Sequence, residues 1–226
     1  DLRQELQVLG NTADDKLKYV VGLYYFNENG NNINNLDFTP VTFRSGGKFA
    51  TKSYAAFGQA TWTPIPLIDL TFGLRYTKDK KSFLPDQEIL VDKTGSALIA
   101  ASPNTPQTRV LPYVTAYRNE DAVTPSANIA FHVADNVLAY ASFSKGFKSG
   151  GFVQRVFPPQ ANIPQFGAEK ATAYEIGFKS KLFNRRLTLN GAMFLTKYDE
   201  LQVQVFTGIA PVTKNAASAE IKGLEL

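Results

Sequence analysis

The chain has 226 residues, a formal net charge of +4 and 12% aromatic residues, with no cysteine and a single histidine, His132. These counts exclude disulfides, thiolate metal sites and any histidine-rich metal site. Basic residues are scattered singly or in short clusters such as Lys78, Lys80 and Lys81, unlike the concentrated basic face of a nucleic-acid binder, and no apolar run reaches the roughly 18 residues of a membrane-spanning helix.

Strand signals begin with a partial one at 3–9 and a fuller one at 17–26, joined by the short connection GNTADDK (10–16), where Asp14-Asp15 supplies turn chemistry. A long Asn- and Gly-rich connection, 27–52, leads to a strand at 53–63. After the short connection 64–68, "DLTFGLRYTKDKK" (69–81) sets Leu70, Phe72, Leu74 and Tyr76 against Thr71, Gly73, Arg75 and Thr77. Successive side chains of a strand point to opposite faces, so this segment has one apolar and one polar side. The long connection 82–118 precedes "TPSANIAFHV" (124–133), where Ala127, Ile129, Phe131 and Val133 oppose Ser126, Asn128, Ala130 and His132. The short connection 134–136 opens a strand at 136–147, and the long connection 148–169 follows. In the strand 170–182, Tyr174, Ile176, Phe178 and Leu182 oppose Ala173, Glu175, Gly177 and Lys179. A short turn at 183–185 leads to 186–198, whose Leu187, Leu189, Met193 and Leu195 share one face. The long connection 206–218 leads to a partial strand at 219–226. About nine strands result, and no helix.

The connections alternate short, long, short, long. A compact soluble domain rarely carries four structureless loops of this size, whereas an outer-membrane β-barrel has short turns on one side and long loops on the other. Tilted strands of about 9–11 residues span a bilayer. Arg75 and Glu175, both mid-strand, lie with the small and polar residues, as the cost of a lipid-facing charge requires. Tyr25, Trp62, Tyr76, Phe131, Phe147 and Tyr198 sit near strand ends, where a barrel carries aromatic girdles. Alternation alone also suits a soluble sandwich with the apolar face inward; loop rhythm and aromatic load favour the membrane. The fold class expected is therefore all-β: an antiparallel up-and-down transmembrane barrel, here an incomplete run of strands with short periplasmic turns and long extracellular loops.

In this order, "SYAAFGQATWT" (53–63), "LTFGLRYTKDKK" (70–81), "NVLAYASFSKGFKSGGF" (136–152), "ATAYEIGFKSKLFNRRLTLNGAMFLTKYDELQVQ" (171–204) and "NAASAEIKGLEL" (215–226) resemble the barrel of TonB-dependent outer-membrane receptors of the ferric-siderophore type. The resemblance implies a 22-stranded barrel around an N-terminal plug, with a TonB box that couples to an inner-membrane energy complex. It implies that residues 1–226 are a middle portion of that barrel, with the plug, the TonB box and the terminal strands lying outside it. It also implies a place in the outer membrane of a Gram-negative bacterium. The implied partners are outer-membrane lipid, a ferric siderophore or similar ligand, and the TonB complex reached through the absent N-terminal region. A passive porin or adhesin barrel is the alternative within the membrane, and a soluble all-β binding domain or enzyme is the alternative outside it.

"SKGFKSGGF" (144–152) has the Gly, Lys and Ser of a phosphate loop, but its glycine spacing is one residue short and three prolines, not a helix, follow. His132 with Asp135 and a serine does not make a nucleophile, base and orienter in line, so a structural histidine is expected. Asp86, Glu88 and Asp92 lack calcium-loop spacing and read as solvated loop residues. No catalytic residue, cofactor or metal ligand is assigned. For an anionic chelate, basic and aromatic contacts are favoured; on residue type the candidates are Arg75 on the lumen face and Phe152, Arg155 and Phe157 in the connection 148–169.

Overall fold

One-sided alternation produces a single long sheet. The computed structural model describes every residue except 13, 38–40, 93–108, 207–210 and 217. In chain order the strands are β1 (Leu2–Thr12), β2 (Leu17–Asp37), β3 (Val41–Ile65), β4 (Ile68–Pro85), β5 (Glu88–Asp92), β6 (Ala116–Ala134) and β7 (Val137–Lys148). They continue with β8 (Gly151–Phe152), β9 (Gln165–Phe166), β10 (Glu169–Leu182), β11 (Leu187–Asp199), β12 (Gln202–Phe206), β13 (Pro211–Asn215) and β14 (Ala219–Glu225). Nine of them form the wall in the order β1-β2-β3-β4-β6-β7-β10-β11-β14, each antiparallel to its neighbours. The wall is an open arc of a barrel.

The register fixes the two faces. Leu6, Leu23, Ala56, Tyr76 and Val123 lie side by side across β1, β2, β3, β4 and β6. Trp62, Leu70, Ile129, Ala141, Ile176, Met193 and Leu224 form a second such row from β3 to β14. Phe72 is 61% exposed and Ile176 57%, so no second layer among the described residues covers this face. The soluble sandwich would have buried both. On the opposite face Arg75 lies level with Phe57 and Thr124, and Glu175 with Ser142 and Phe194. The apolar face is the lipid side and the polar face the lumen side.

Tight turns collect at one end of the wall. Asp14 and Asp15 (φ 54° and 65°) and Phe183, Asn184 and Arg185 (φ 50°, 55° and 67°) all occupy the left-handed region there, the backbone shape that twisted hairpins favour. At the other end the expected structureless loops are in part strand. β2 and β3 keep one register from Leu17↔Trp62 to Asp37↔Thr42, so the described part of the connection expected at 27–52 continues the β2–β3 ladder; residues 38–40 lie outside the described set. β5 pairs with β3 in the register that β4 leaves at Pro85, after a break at Asp86 and Gln87, and β6 begins at Ala116 rather than 124. Within 82–118, residues 93–108 lie outside the described set. Two ribbons, β8–β9 and β12–β13, occupy the expected loops 148–169 and 206–218, although 207–210 and 217 are again outside it. In the β2 extension, 27–35, polar residues on both sides leave no alternation for a sequence reading to find.

The buried apolar core sits at this upper end, outside the apolar belt. Val41, Phe43, Ile89, Val110, Leu111, Val153 and Val156 bury together, with Leu36, Phe157, Phe166 and Val212 packed around them. We call this unit the lobe. Gly46 and Gly47 (φ +135° and +149°) lie beneath it, where a Cβ on Gly46 would stand 1.8 Å from the Asn32 carbonyl oxygen. Only glycine fits there. Of the six expected girdle aromatics, Tyr25, Trp62, Tyr76, Phe131 and Phe147 fall on the lipid side by register. Tyr198 does not. It pairs with Ala171 in the lumen-side set, because strand parity, not nearness to a strand end, sets which way a side chain points.

Candidate functional site

The lumen face of β4 and its neighbours carries a cluster of charged and aromatic side chains. Arg75 stands over the rings of Tyr24 (5.2 Å) and Phe57 (5.5 Å), and its Nε donates to Thr77 Oγ1 at 3.1 Å. Arg3 approaches the same Tyr24 ring at 5.4 Å. Two aromatic faces and a hydroxyl thus hold Arg75, and no carboxylate among the described residues forms an ion pair with it.

Above it lie four charges in an alternating block. Register sets Asp79 opposite Glu120 and Lys81 opposite Arg118. Like charges face each other across the ladder, which is unfavourable, and the pairing is resolved diagonally and along the strand. Arg118 binds Glu120 and donates to Gln165 Oε1 at 3.3 Å. Lys81 Nζ donates to the Gly150 carbonyl at 2.7 Å. Burial pushes the Lys81 ammonium below the usual lysine range, opposed by Asp79 and Glu120 and reinforced by Arg118. Asp79 Oδ1, Arg118 Nε and Ser149 Oγ are buried without a hydrogen-bond partner.

These contacts tie the chain between β7 and β10 to the inside of the wall. Phe152 stacks at a tilt on Phe83, with centroids 5.8 Å apart. Gln202 Nε2 donates to the carbonyls of Ser149 (3.2 Å) and Gly167 (2.9 Å), and Asn215 Nδ2 donates to those of Gly167 and Glu200. The β12–β13 ribbon is therefore bound to the same unit. On the far side of the lobe, Arg109 binds Asp86 at 2.7 Å, and Arg44 lies 3.9 Å from Asp86 and 3.7 Å from Glu88. Asp86 and Glu88, expected as solvated loop residues, are thus engaged by arginines; the side chain of Asp92 lies outside the described set.

Each candidate residue has a definite place. Phe152 and Phe157 are partly buried in lobe packing, Arg155 is exposed on the lobe surface, and Arg75 lies lower on the lumen wall. The lobe brings the first three into one unit. Among the described residues, the contacts of Arg75 are with Tyr24, Phe57 and Thr77 rather than with the lobe. His132 pairs with Asp69, not with Asp135: Nε2 lies 2.8 Å from Asp69 Oδ2, and Thr63 Oγ1 donates to Asp69 Oδ1 at 2.6 Å. This is a structural cross-strand triad at the turn end of the wall. Sequence reading missed Lys81, Arg118 and Gln202; the alternation of 69–81 carried on through Asp79 and Lys81 was the available signal for the first, and nothing local marks the other two.

The wall has the form of a known group of proteins. The family "TonB dependent receptor-like, beta-barrel" matches residues 1–226. The chain belongs to this family. Its place is the outer membrane of a Gram-negative bacterium, and its open wall is part of a TonB-dependent receptor barrel. The pesticin receptor of Yersinia enterocolitica is 26% identical over 210 residues, covering 92% of this chain and 28% of that protein. The ferric yersiniabactin uptake receptor FyuA of Yersinia pestis superposes with a TM-score of 0.76 at 22% identity, over 98% of this chain and 31% of that one. The siderophore receptor PiuA of Acinetobacter baumannii gives 0.62 at 18% identity, over 98% and 34%. The chain thus spans less than a third of the length of the curated relative, and the two structural likenesses speak to fold.

Proposed function

We propose that the protein containing this chain is an energy-coupled uptake receptor for a scarce extracellular ligand, a ferric siderophore, and that residues 1–226 supply wall strands and external loops. The observation that carries this reading is the family match along the whole chain; relatives described as a ferric yersiniabactin uptake receptor and a siderophore receptor support the ligand class. In this reading the ligand descends from the lobe along the lumen face. Arg155, Phe152 and Phe157 meet it first and Arg75 below, where an anionic chelate finds a guanidinium held over aromatic rings. Coupling to TonB runs through segments of the intact protein beyond this chain. No catalytic step is assigned.

The test is uptake of radiolabelled ferric siderophores by cells whose only receptor is the full-length protein, with and without a functional TonB complex. Uptake that depends on TonB supports the proposal. Passage that persists without TonB and without saturation points to a passive pore and overturns it.

A further inference from the structure

We propose that the lipid-side face of β3 and β4, just above the apolar belt, binds a phosphate-bearing lipid of the outer leaflet. Lys52 and Lys80 stand directly opposite each other in the β3–β4 ladder. Both are exposed, and no carboxylate among the described residues pairs with either. Like charges directly opposed on one face of a sheet repel, so this pair favours an anion between its ammonium groups. One row nearer the membrane, Lys78 adds a third cation beside Tyr54. Its partner Asp121 is 3.9 Å away and both side chains are about half exposed, an arrangement that holds a lysine weakly. Asp121 is also the acceptor for Tyr76 Oη at 3.2 Å, and it is the one carboxylate that the register sets in these two rows.

Directly below the three lysines the surface is hollow. Ala56 sits between Leu23 and Tyr76 in the ladder, and the short side chain leaves a groove of about 440 Å³ with Leu6 and Leu23 at its lower side and Tyr54 and Lys78 at its upper end. Tyr25 and Tyr54, 5.2 Å apart, form a firm aromatic edge. Aromatic rings and lysines at this height belong to the interface between hydrocarbon and headgroups. A soluble anion would match the lysines alone, and a neutral lipid would match the groove alone. A molecule with a phosphate above and an acyl chain below matches both, and basic clusters at a membrane surface select anionic headgroups.

The test uses the full-length receptor in nanodiscs containing phosphatidylcholine together with phosphorylated lipid A, read by native mass spectrometry for retained lipid. The wild-type protein is expected to retain lipid A over phosphatidylcholine. Lys52→Gln with Lys80→Gln is expected to lower that retention about tenfold. Ala56→Leu, which fills the groove and leaves every charge, should lower it as well. Unchanged heat-modified gel mobility verifies that each variant is folded. Equal retention by folded variants, equal retention of dephosphorylated lipid A, or displacement of lipid A by millimolar inorganic phosphate would each overturn the proposal, the last by showing a phosphate site rather than a lipid site.

Discussion

The wall and the lobe place their apolar residues in opposite ways. In the wall, Phe72, Leu74, Ile176 and Met193 point outward and remain 55–61% exposed, while Thr71, Ser142 and Glu175 line the other side. In the lobe, Val41, Phe43, Ile89 and Leu111 point inward and expose 0–4%. One chain thus follows two rules, and the change occurs along β3, whose lower half serves the wall and whose upper end serves the lobe. The surrounding solvent accounts for the difference. Hydrocarbon accepts an outward apolar face at no cost, whereas water above the membrane drives the same residue types into a cluster.

The sharpest break is Phe43→Ala. It should cost about 3–5 kcal/mol in the lobe, as loss of a buried phenyl ring does. Hydrogen exchange should then accelerate through 151–166 while β10 and β11 keep their protection; equal loosening of both would show that the two regions are one cooperative unit. Next in size is a lysine scan of adjacent wall positions. Phe143→Lys, on the lipid side, should cost about 2–4 kcal/mol and reduce membrane assembly, whereas Ser144→Lys, one residue on and facing the lumen, should assemble normally. Heat-modifiability on gels reads both. Lys81→Met should weaken the hold of the wall on Gly150 by on the order of 1 kcal/mol, seen as faster exchange near Gly150 with no change in assembly.

The smallest effect is one of pH. The folded-state Lys81 value is lowered from the ordinary 10.5, so the folded protein releases this proton before the unfolded chain does. The destabilisation from burying the charge is full below the folded-state value and is relieved as pH rises through it toward 10.5. In NMR of 13C-methylated lysines, Lys81 should titrate below the ordinary lysine value of 10.5. Titration at or above that value would contradict the burial argument.

These contrasts also explain what the sequence reveals. The nine wall strands, the lipid side and the tight turns were legible because one-sided exposure to hydrocarbon enforces alternation, as at Leu70, Phe72, Leu74 and Tyr76. The resemblance stated from five segments holds along the full chain. The upper ends of β2 and β3 were not legible: "NENGNNINN" has polar residues on both faces, and its strand character comes from pairing with β3. The His132–Asp69 contact was hidden for another reason. It depends on the β4–β6 register, set across a connection of some thirty residues. For Arg75, Phe152, Arg155 and Phe157 the sequence shows residue type and region alone; that Phe152 leans on Phe83 and that Lys81 reaches Gly150 are tertiary facts.

The composition of the lobe bears on how the cell surface is recognised by antibodies. Its packing draws Val41 and Phe43 from one hairpin, Ile89, Val110 and Leu111 from the next connection, and Val153 and Val156 from a third. The outward surface over that packing is accordingly a discontinuous epitope. Serum raised against an isolated peptide such as 153–165 would meet a flexible chain whose Val153 and Val156 are free, a form the folded protein does not display. Serum raised against the assembled protein would lose binding when Phe43 is truncated, although Phe43 itself lies beneath the surface.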